Sequence, residues 1–367
     1  MNTEKIAISL YESRVPDFAE AELERLYGNI YSSLAQFRAD GDLEGIDTYA
    51  VRRGERVTCL LLFRQQGSMV RVINEGMVLT EGDIRGFAQH IFTKFPKIKL
   101  ISFHAIATSM RTLPFRFQHF NCLEDFVLSL PRTQEEYLAS LGKSTRSYIN
   151  RYLNKLKREL PALQFRIYTT GEVQDQQVRD IILLNRHRMR GREHAHPNEE
   201  VEIARIIHLA RQRGLVGVMS IDGRVCAGVI NFRAGENFFL ETLAHDPAYN
   251  EFRLGTLCCY LTICECIARG AQEYHFLWGH YEYKNRLLGV RRDLDHITIY
   301  RSPMQMVWHA DVALRNTIKS AIRRTKIWLH NAQRAEKPRL TSRVAIHVLN
   351  YARNARRYAS GILTRSK

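Results

Sequence analysis

The residues best able to do chemistry lie in two short stretches. Arg253-Leu254-Gly255-Thr256 leads into an apolar segment, Leu257 to Ile267, that ends on Arg269-Gly270. Three turns of apolar residues closed by a glycine predict a helix. The first N–H groups of a helix lack intrahelical acceptors and stand at the positive end of its dipole, so a glycine-opened start suits a phosphate or another anion. The second stretch is Lys143-Ser144-Thr145-Arg146-Ser147-Tyr148-Ile149-Asn150-Arg151. Leu141, Tyr148, Tyr152, Leu156 and Leu160 recur there at helical spacing, Ser144 or Thr145 can cap, and Pro161 ends the run. Either its basic residues Arg146, Arg151, Lys155 and Arg158 grip a phosphate or carboxylate, or they are the solvated face of a linker helix.

The elements that must position these stretches follow from pattern. Leu215 to Ile221, Arg224 to Phe232 and Asn237 to His245 are apolar runs separated by Asp222-Gly223 and Ala234-Gly235-Glu236, which predict strands joined by hairpin turns. The glycine-opened helix comes next, then strands at Glu273 to Leu277 and Ile297 to Tyr300. Upstream of the hairpins, Leu163 to Tyr168 reads as a strand, and Val173 to Met189 and Glu199 to Arg213 as helices. The first part of the chain has the same order: a strand at Lys5 to Tyr11, helical spacing over 17–39, strands at Ile46 to Val51, Arg56 to Phe63 and Met69 to Ile73, a helix from Glu81 to Phe95, and strands at Ile98 to Phe103 and Phe126 to Leu130. Two copies of one order, offset by roughly 160 residues, indicate a tandem duplication. The first copy has no basic residue before its helix-opening Gly82. It is therefore expected to be structural or to shape the acceptor side.

The chain has 367 residues and a formal charge of +16, with ordinary shares of hydrophobic and charged residues for a globular protein. The charge is uneven: residues 301–367 hold about 15 Lys and Arg against about 2 acids, roughly +13 of the total. No run approaches the ~18 apolar residues of a membrane span, and Met1 to Tyr11 lacks the pattern of a signal peptide, so a cytoplasmic protein is expected. Seven cysteines, none in a Cys-x-x-Cys pair, fit reduced thiols. Cys258, Cys259, Cys264 and Cys266 point in different directions on one helix, so no metal is expected.

Lys143-Ser144-Thr145-Arg146, Arg253-Leu254-Gly255-Thr256 and Gly279-His280-Tyr281-Glu282-Tyr283-Lys284, in this element order, resemble the GNAT acyltransferases. Within them they are similar to the CelD/BcsL-like (BioF2-like) branch of bacterial polysaccharide production, including cellulose biosynthesis, whose double-domain plan is like that of the Fem peptidyltransferases. The resemblance spans roughly residues 46–301. The loop is a residue shorter than the usual Gln/Arg-x-x-Gly-x-Gly/Ala. The resemblance implies an α/β (α+β) fold of tandem GNAT-like mixed-sheet domains: a degenerate first domain at 1–132, a basic linker helix at 133–161, a catalytic domain at 162–302, and a basic helical extension at 303–367.

It also implies acyl transfer from acetyl-CoA or another acyl-CoA, as co-substrate, to an amine or hydroxyl. Arg253, Leu254, Gly255, Thr256 and Leu257 would then hold the donor's pyrophosphate, and the strand near Ala244 would offer an N–H to the thioester oxygen. A neutral amine attacks a thioester directly, so no covalent nucleophile is required. For the general base Glu241 ranks first, on the strand before the loop, the other reading being a buried or interface glutamate paired with an arginine; His280, Glu282 and His245 stand behind it. Arg146, Tyr148, Arg151, Tyr283 and Lys284 are the candidates for substrate binding. Lys284 equally fits a surface pair with Glu282. His187, His194 and His196 are placed in an acceptor wall.

Val307, Leu314, Ile318, Ile322, Trp328 and Leu329 mark one face of a helix whose other positions include Arg315, Lys319, Arg323, Arg324 and Lys326; after Pro338 a second such helix is read over Val344 to Ile362. Basic amphipathic helices with tryptophan fit the anionic inner face of a membrane better than RNA here, because the apolar face is continuous and no Arg-Gly repeats occur; the other reading is an accessory helical pair packed on the body. The alternatives to an acyl-CoA enzyme acting on a small-molecule or saccharide acceptor are a Fem-like enzyme that takes its donor from aminoacyl-tRNA, and a non-catalytic scaffold of a polysaccharide-synthesis complex.

Overall fold

The computed structural model describes residues 6–41, 43–189 and 199–334. His194, His196 and the helix read over Val344 to Ile362 lie outside the described residues. Along the chain run β1 (Ile6–Tyr11), α1 (Ala19–Tyr27), α2 (Leu34–Ala39), β2 (Asp47–Arg53), β3 (Arg56–Gln66), β4 (Met69–Val72), α3 (Glu81–Lys94), β5 (Leu100–Ile106) and β6 (Arg116–Ser129). Helices α4 (Gln134–Ser140) and α5 (Lys143–Glu159) connect this half to β7 (Leu163–Thr169), α6 (Asp175–Met189), α7 (Glu199–Arg213), β8 (Gly214–Ile221), β9 (Arg224–Ala234) and β10 (Asn237–His245). Then follow α8 (Leu254–Ala268), β11 (Glu273–His275), α9 (Glu282–Arg286), β12 (Val290–Tyr300), α10 (Pro303–Trp308) and α11 (Ala310–Arg334). The duplicated order read from the sequence is present in the fold.

The described strands form one twelve-stranded sheet in the order β1-β2-β3-β4-β5-β12-β6-β11-β10-β9-β8-β7. The two lobes exchange strands at its middle. β6, from the first half, pairs antiparallel with β11 of the second, and β12, from the second half, pairs with β5 of the first. β6 and β12 also pair with each other from Val290↔Val127 to Tyr300↔Arg116. Both strands are much longer than the sequence predicts. Their polar halves find partners in each other, so they need no apolar alternation to be held.

Each half places a buried helix against its sheet. Along α3, Ile84, Phe87, Ala88, Ile91 and Phe92 are buried at three- and four-residue spacing, each apolar side chain contributing about 2 kcal/mol by leaving water. In the second half α8 is apolar nearly all round, because β8, β9 and β10 cover one side and α4 and α5 the other. All four of its cysteines are buried and unpaired.

Candidate active site

The two buried helices start differently. α3 closes its own N-terminus: Thr80 Oγ1 accepts from the Asp83 N–H, the Asp83 carboxylate accepts from the Thr80 N–H at 2.9 Å, and Glu81 adds another negative charge. No anion is welcome there. α8 has neither a side-chain cap nor an acid in its first turn. Arg253, in the left-handed conformation (φ 57°), turns the chain into the helix one turn earlier than the sequence predicts. Its carbonyl accepts from the N–H groups of Thr256 and Leu257 at 3.1 and 3.2 Å, so Leu254 and Gly255 keep the outward-facing donors. A Cβ on Gly255 would stand 2.8 Å from Nδ1 of His245, whose Nε2 bonds Asn250. Glycine is the residue that fits there.

α5 lies across this helix start. Gly142, rather than Ser144 or Thr145, occupies its N-cap, so both hydroxyls fall inside the helix. Tyr148 and Tyr152 pack together, 4.7 Å between ring centroids, with Thr256 beside Tyr148 and Arg253 beside Tyr152. Arg151 stacks over the Tyr152 ring at 4.8 Å, and Arg253 and then Arg151 pull the Tyr152 phenol below its ordinary pKa. Burial drives Tyr148 the other way, against the influence of Thr256, Arg253 and Arg286. Arg253, Arg286 and Arg151 therefore surround the start of α8 with positive charge. Lys155 is occupied by Glu251 at 2.7 Å, and Arg146 is half-buried in the first turn of α5.

The neighbouring cleft comes from a parting of strands. β10 and β11 pair only from Asn237↔Glu273 to Phe239↔His275. Past that point the β11-facing edge of β10 has no strand partner among the described residues, and on its other edge the register with β9 slips at Glu241, a β-bulge. Leu277 takes a left-handed conformation (φ 59°) and bends the chain away. Between the two strands opens a cavity of about 330 Å³, whose wall includes Asn185, Glu241, Trp278, Tyr281, Tyr283 and Lys284. Tyr31, from the first lobe, packs on Trp278 at 5.7 Å.

Three candidates from the sequence meet in this cleft: Glu241, Tyr283 and Lys284. Glu241 Oε1 accepts from Arg205 Nη2 at 2.9 Å; burial raises the carboxyl pKa, and Arg205 opposes that rise. Lys284 is buried rather than paired with Glu282. Its Nζ donates to the carbonyls of Leu277 (2.9 Å) and Trp278 (2.6 Å), and burial lowers its pKa to about 8. Glu282 points to solvent in a pair with Arg286. His280 lies behind the cleft, 3.3 Å from the buried Glu124 and edge-on to Phe126. His187 is exposed at the end of α6. Arg205, Tyr31 and Trp278 carry no sequence signal; the fold alone brings them here.

Residues 143–285 match the family model described as an acetyltransferase (GNAT) domain, which takes in α5, the start of α8 and the cleft. No curated protein matches the chain in sequence. Among solved structures, FemX superposes with a TM-score of 0.59 at 9% identity, covering 81% of this chain and 99% of that one. A conserved protein of unknown function from Bacteroides thetaiotaomicron gives 0.52 at 11% identity, with 78% and 96% covered. The fold is of the GNAT type. Residues 143–285 thus match a GNAT domain, and the chain as a whole shares the two-lobed fold of FemX.

Proposed function

We propose that the protein transfers an acyl group from an acyl-CoA to an amine or hydroxyl acceptor of envelope or polysaccharide metabolism. The observation that carries this reading is the uncapped, acid-free start of α8, ringed by arginines and adjoining the cleft where β10 and β11 part. The N–H groups of Leu254 and Gly255, with Arg253 and Arg286, would bind the donor's pyrophosphate, which Thr256 and Leu257 border. The free edge of β10 would accept the pantetheine arm and offer N–H groups to the thioester oxygen. The acceptor's nitrogen or oxygen attacks the thioester carbon, Glu241 takes its proton, and the tetrahedral intermediate collapses by expelling the coenzyme A thiolate. Arg205 positions Glu241, and Lys284 holds the carbonyls of Leu277 and Trp278 that shape the cleft wall. The protein works in the cytoplasm, with its basic helix α11 at the inner face of the membrane.

A second reading takes the donor from aminoacyl-tRNA, and the two-lobed fold shared with FemX favours it. Calorimetry with acetyl-CoA and longer acyl-CoAs separates the two. Saturable binding lost in Gly255→Asp, where a carboxylate repels the pyrophosphate, supports the acyl-CoA reading. Failure of well-folded protein to bind any acyl-CoA overturns it and leaves the tRNA donor and the scaffold, which charged tRNA and partner proteins then test.

A further inference from the structure

Helix α11 is mounted with its polar side inward. Asn316, only 6% exposed, donates to Thr298 Oγ1 (2.9 Å) and Gln118 Oε1 (3.1 Å), and Gln118 in turn donates to the Ala313 carbonyl. One side further along, Arg323 Nε donates to Asn121 at 2.9 Å while its guanidinium pairs with Glu124. Several of the helix's large apolar residues are left outside, while Val312, Ala313, Ile327 and Leu329 are half-buried. Leu314, Ile318, Ile322 and Trp328 form an exposed ridge along α11, and Met304, Val307 (72% exposed) and Trp308 (73%) extend it onto α10. A surface helix ordinarily does the opposite.

Beneath one flank of the ridge lies a cavity of about 370 Å³ in the first lobe, separate from the cleft. Its floor is His104, Phe120, Cys122 and His296 on the sheet, and its wall is Lys319, Ile322, Arg323 and Lys326. Lys319 and Lys326 are about two turns apart, so they stand on the same flank, between ridge and floor. Neither has a carboxylate partner among the described residues. The nearby acids are already engaged: Glu75 with His104 at 3.0 Å, and Glu124 with Arg323 and His280. Burial, then the positive charge of His104, Lys319 and Arg71, holds His296 down to about 4, so the pocket is cationic without it.

We infer that the α10–α11 ridge seats on an anionic phospholipid bilayer and that the pocket between α11 and the sheet takes the phosphate of one lipid headgroup. Both halves of the surface call for this occupant. Exposed tryptophan and branched side chains gain by entering the acyl boundary, and lysines placed just below them lie at the depth of the phosphates. Charge argues against self-covering: residues 335–367 are basic themselves, as is the same face of a second copy. RNA would satisfy the lysines and leave the ridge in water. The inference does not depend on the transferase reading, since the pocket and the cleft share no residue.

The test is co-sedimentation of the full chain with vesicles of phosphatidylcholine, with and without phosphatidylglycerol, alongside tryptophan emission. Binding only to the anionic vesicles, with a blue shift, is expected. At about 1 kcal/mol per basic residue near the surface, Lys319→Gln with Lys326→Gln weakens it on the order of 30-fold. Ile318→Asp, an exposed position whose change leaves the core intact, abolishes the blue shift. Glycerol phosphate alone does not compete appreciably, because it lacks the bilayer that takes the ridge. Absence of binding by folded protein overturns the inference. So does full competition by glycerol phosphate or RNA, or a solution dimer dissolved by Ile318→Asp.

Discussion

Arg205 Nη2 stands 2.9 Å from Oε1 of Glu241, at the point where β10 bulges away from its neighbour. The pairing sets two opposed influences on one carboxyl: burial, the larger, favours the protonated form and Arg205 the ionised form. If Glu241 is the base, transfer falls as pH drops through its raised pKa. Removing the guanidinium in Arg205→Ala raises that pKa further and moves the acid limb of kcat/KM to higher pH, while Glu241→Gln costs about 10²-fold or more at every pH. An acid limb that stays in place in Arg205→Ala rules out Glu241 as the titrating group.

Lys284 leads to a stability prediction. Its amine titrates at about 8 in the folded protein, because it is buried, against a reference of about 10.5 in an unfolded chain. The unfolded state therefore holds the proton more tightly. The stabilising contribution is complete above about 10.5, declines as pH falls, and is gone below about 8. Lys284→Met lacks this dependence, so the stability gap between wild type and variant changes by on the order of 3 kcal/mol across that window, in favour of wild type at high pH. Denaturant melts at pH 7, 9 and 10.5 measure it. A constant gap would mean that Lys284 is solvated.

The local pattern was enough to locate most elements: the strand Asn237–His245 and the helix Glu199–Arg213 begin and end where sequence periodicity puts them. It failed where partners are remote. β6 and β12 were expected only at Phe126 to Leu130 and Ile297 to Tyr300, yet the stretch from Arg116 to Asp125 is held by pairing with Arg292 to Tyr300, whose polar part from Arg292 to His296 pairs with Asp125 to Phe120. The site was legible to a similar degree. Gly255 and Lys284 stand out in sequence, but the bulge at Glu241 and the left-handed Leu277 have no compositional mark. Nor does helical spacing reveal which side of α11 faces the sheet, because a basic amphipathic helix can dock by its charged or its apolar stripe.

The thiols offer a check on the packing of α8 and on the headgroup pocket together. Burial pushes Cys59 and Cys259 up to about 12 and Cys226 and Cys264 to about 11, and lifts Cys258 and Cys266 well above the ordinary thiol value. Cys122 alone is half-exposed, on the floor of the α11 pocket. At pH 8 an aromatic disulfide reagent is expected to modify a single thiol rapidly and all seven after unfolding. Cys122→Ser removes the fast phase, and phosphatidylglycerol vesicles slow it. Rapid loss of several thiols in native protein would show α8 to be far less protected than its burial implies.

The attachment of α11 to the sheet rests on Arg323 and Glu124. The carboxylate is 5% exposed and has Arg323 as its guanidinium partner, with His280 at 3.3 Å, so truncating the arginine leaves a buried charge without its ion pair. Breaking such a pair costs about 3 kcal/mol, whereas replacing both partners by apolar residues is close to neutral. Arg323→Met is accordingly expected to lower stability by about that amount and to open α11 to proteolysis, and adding Glu124→Leu to recover most of the loss. Chemical denaturation of the two variants decides the matter. A single variant within about 0.5 kcal/mol of wild type would mean that Asn316 and its bonds to Thr298 and Gln118 hold the helix without help from the ion pair.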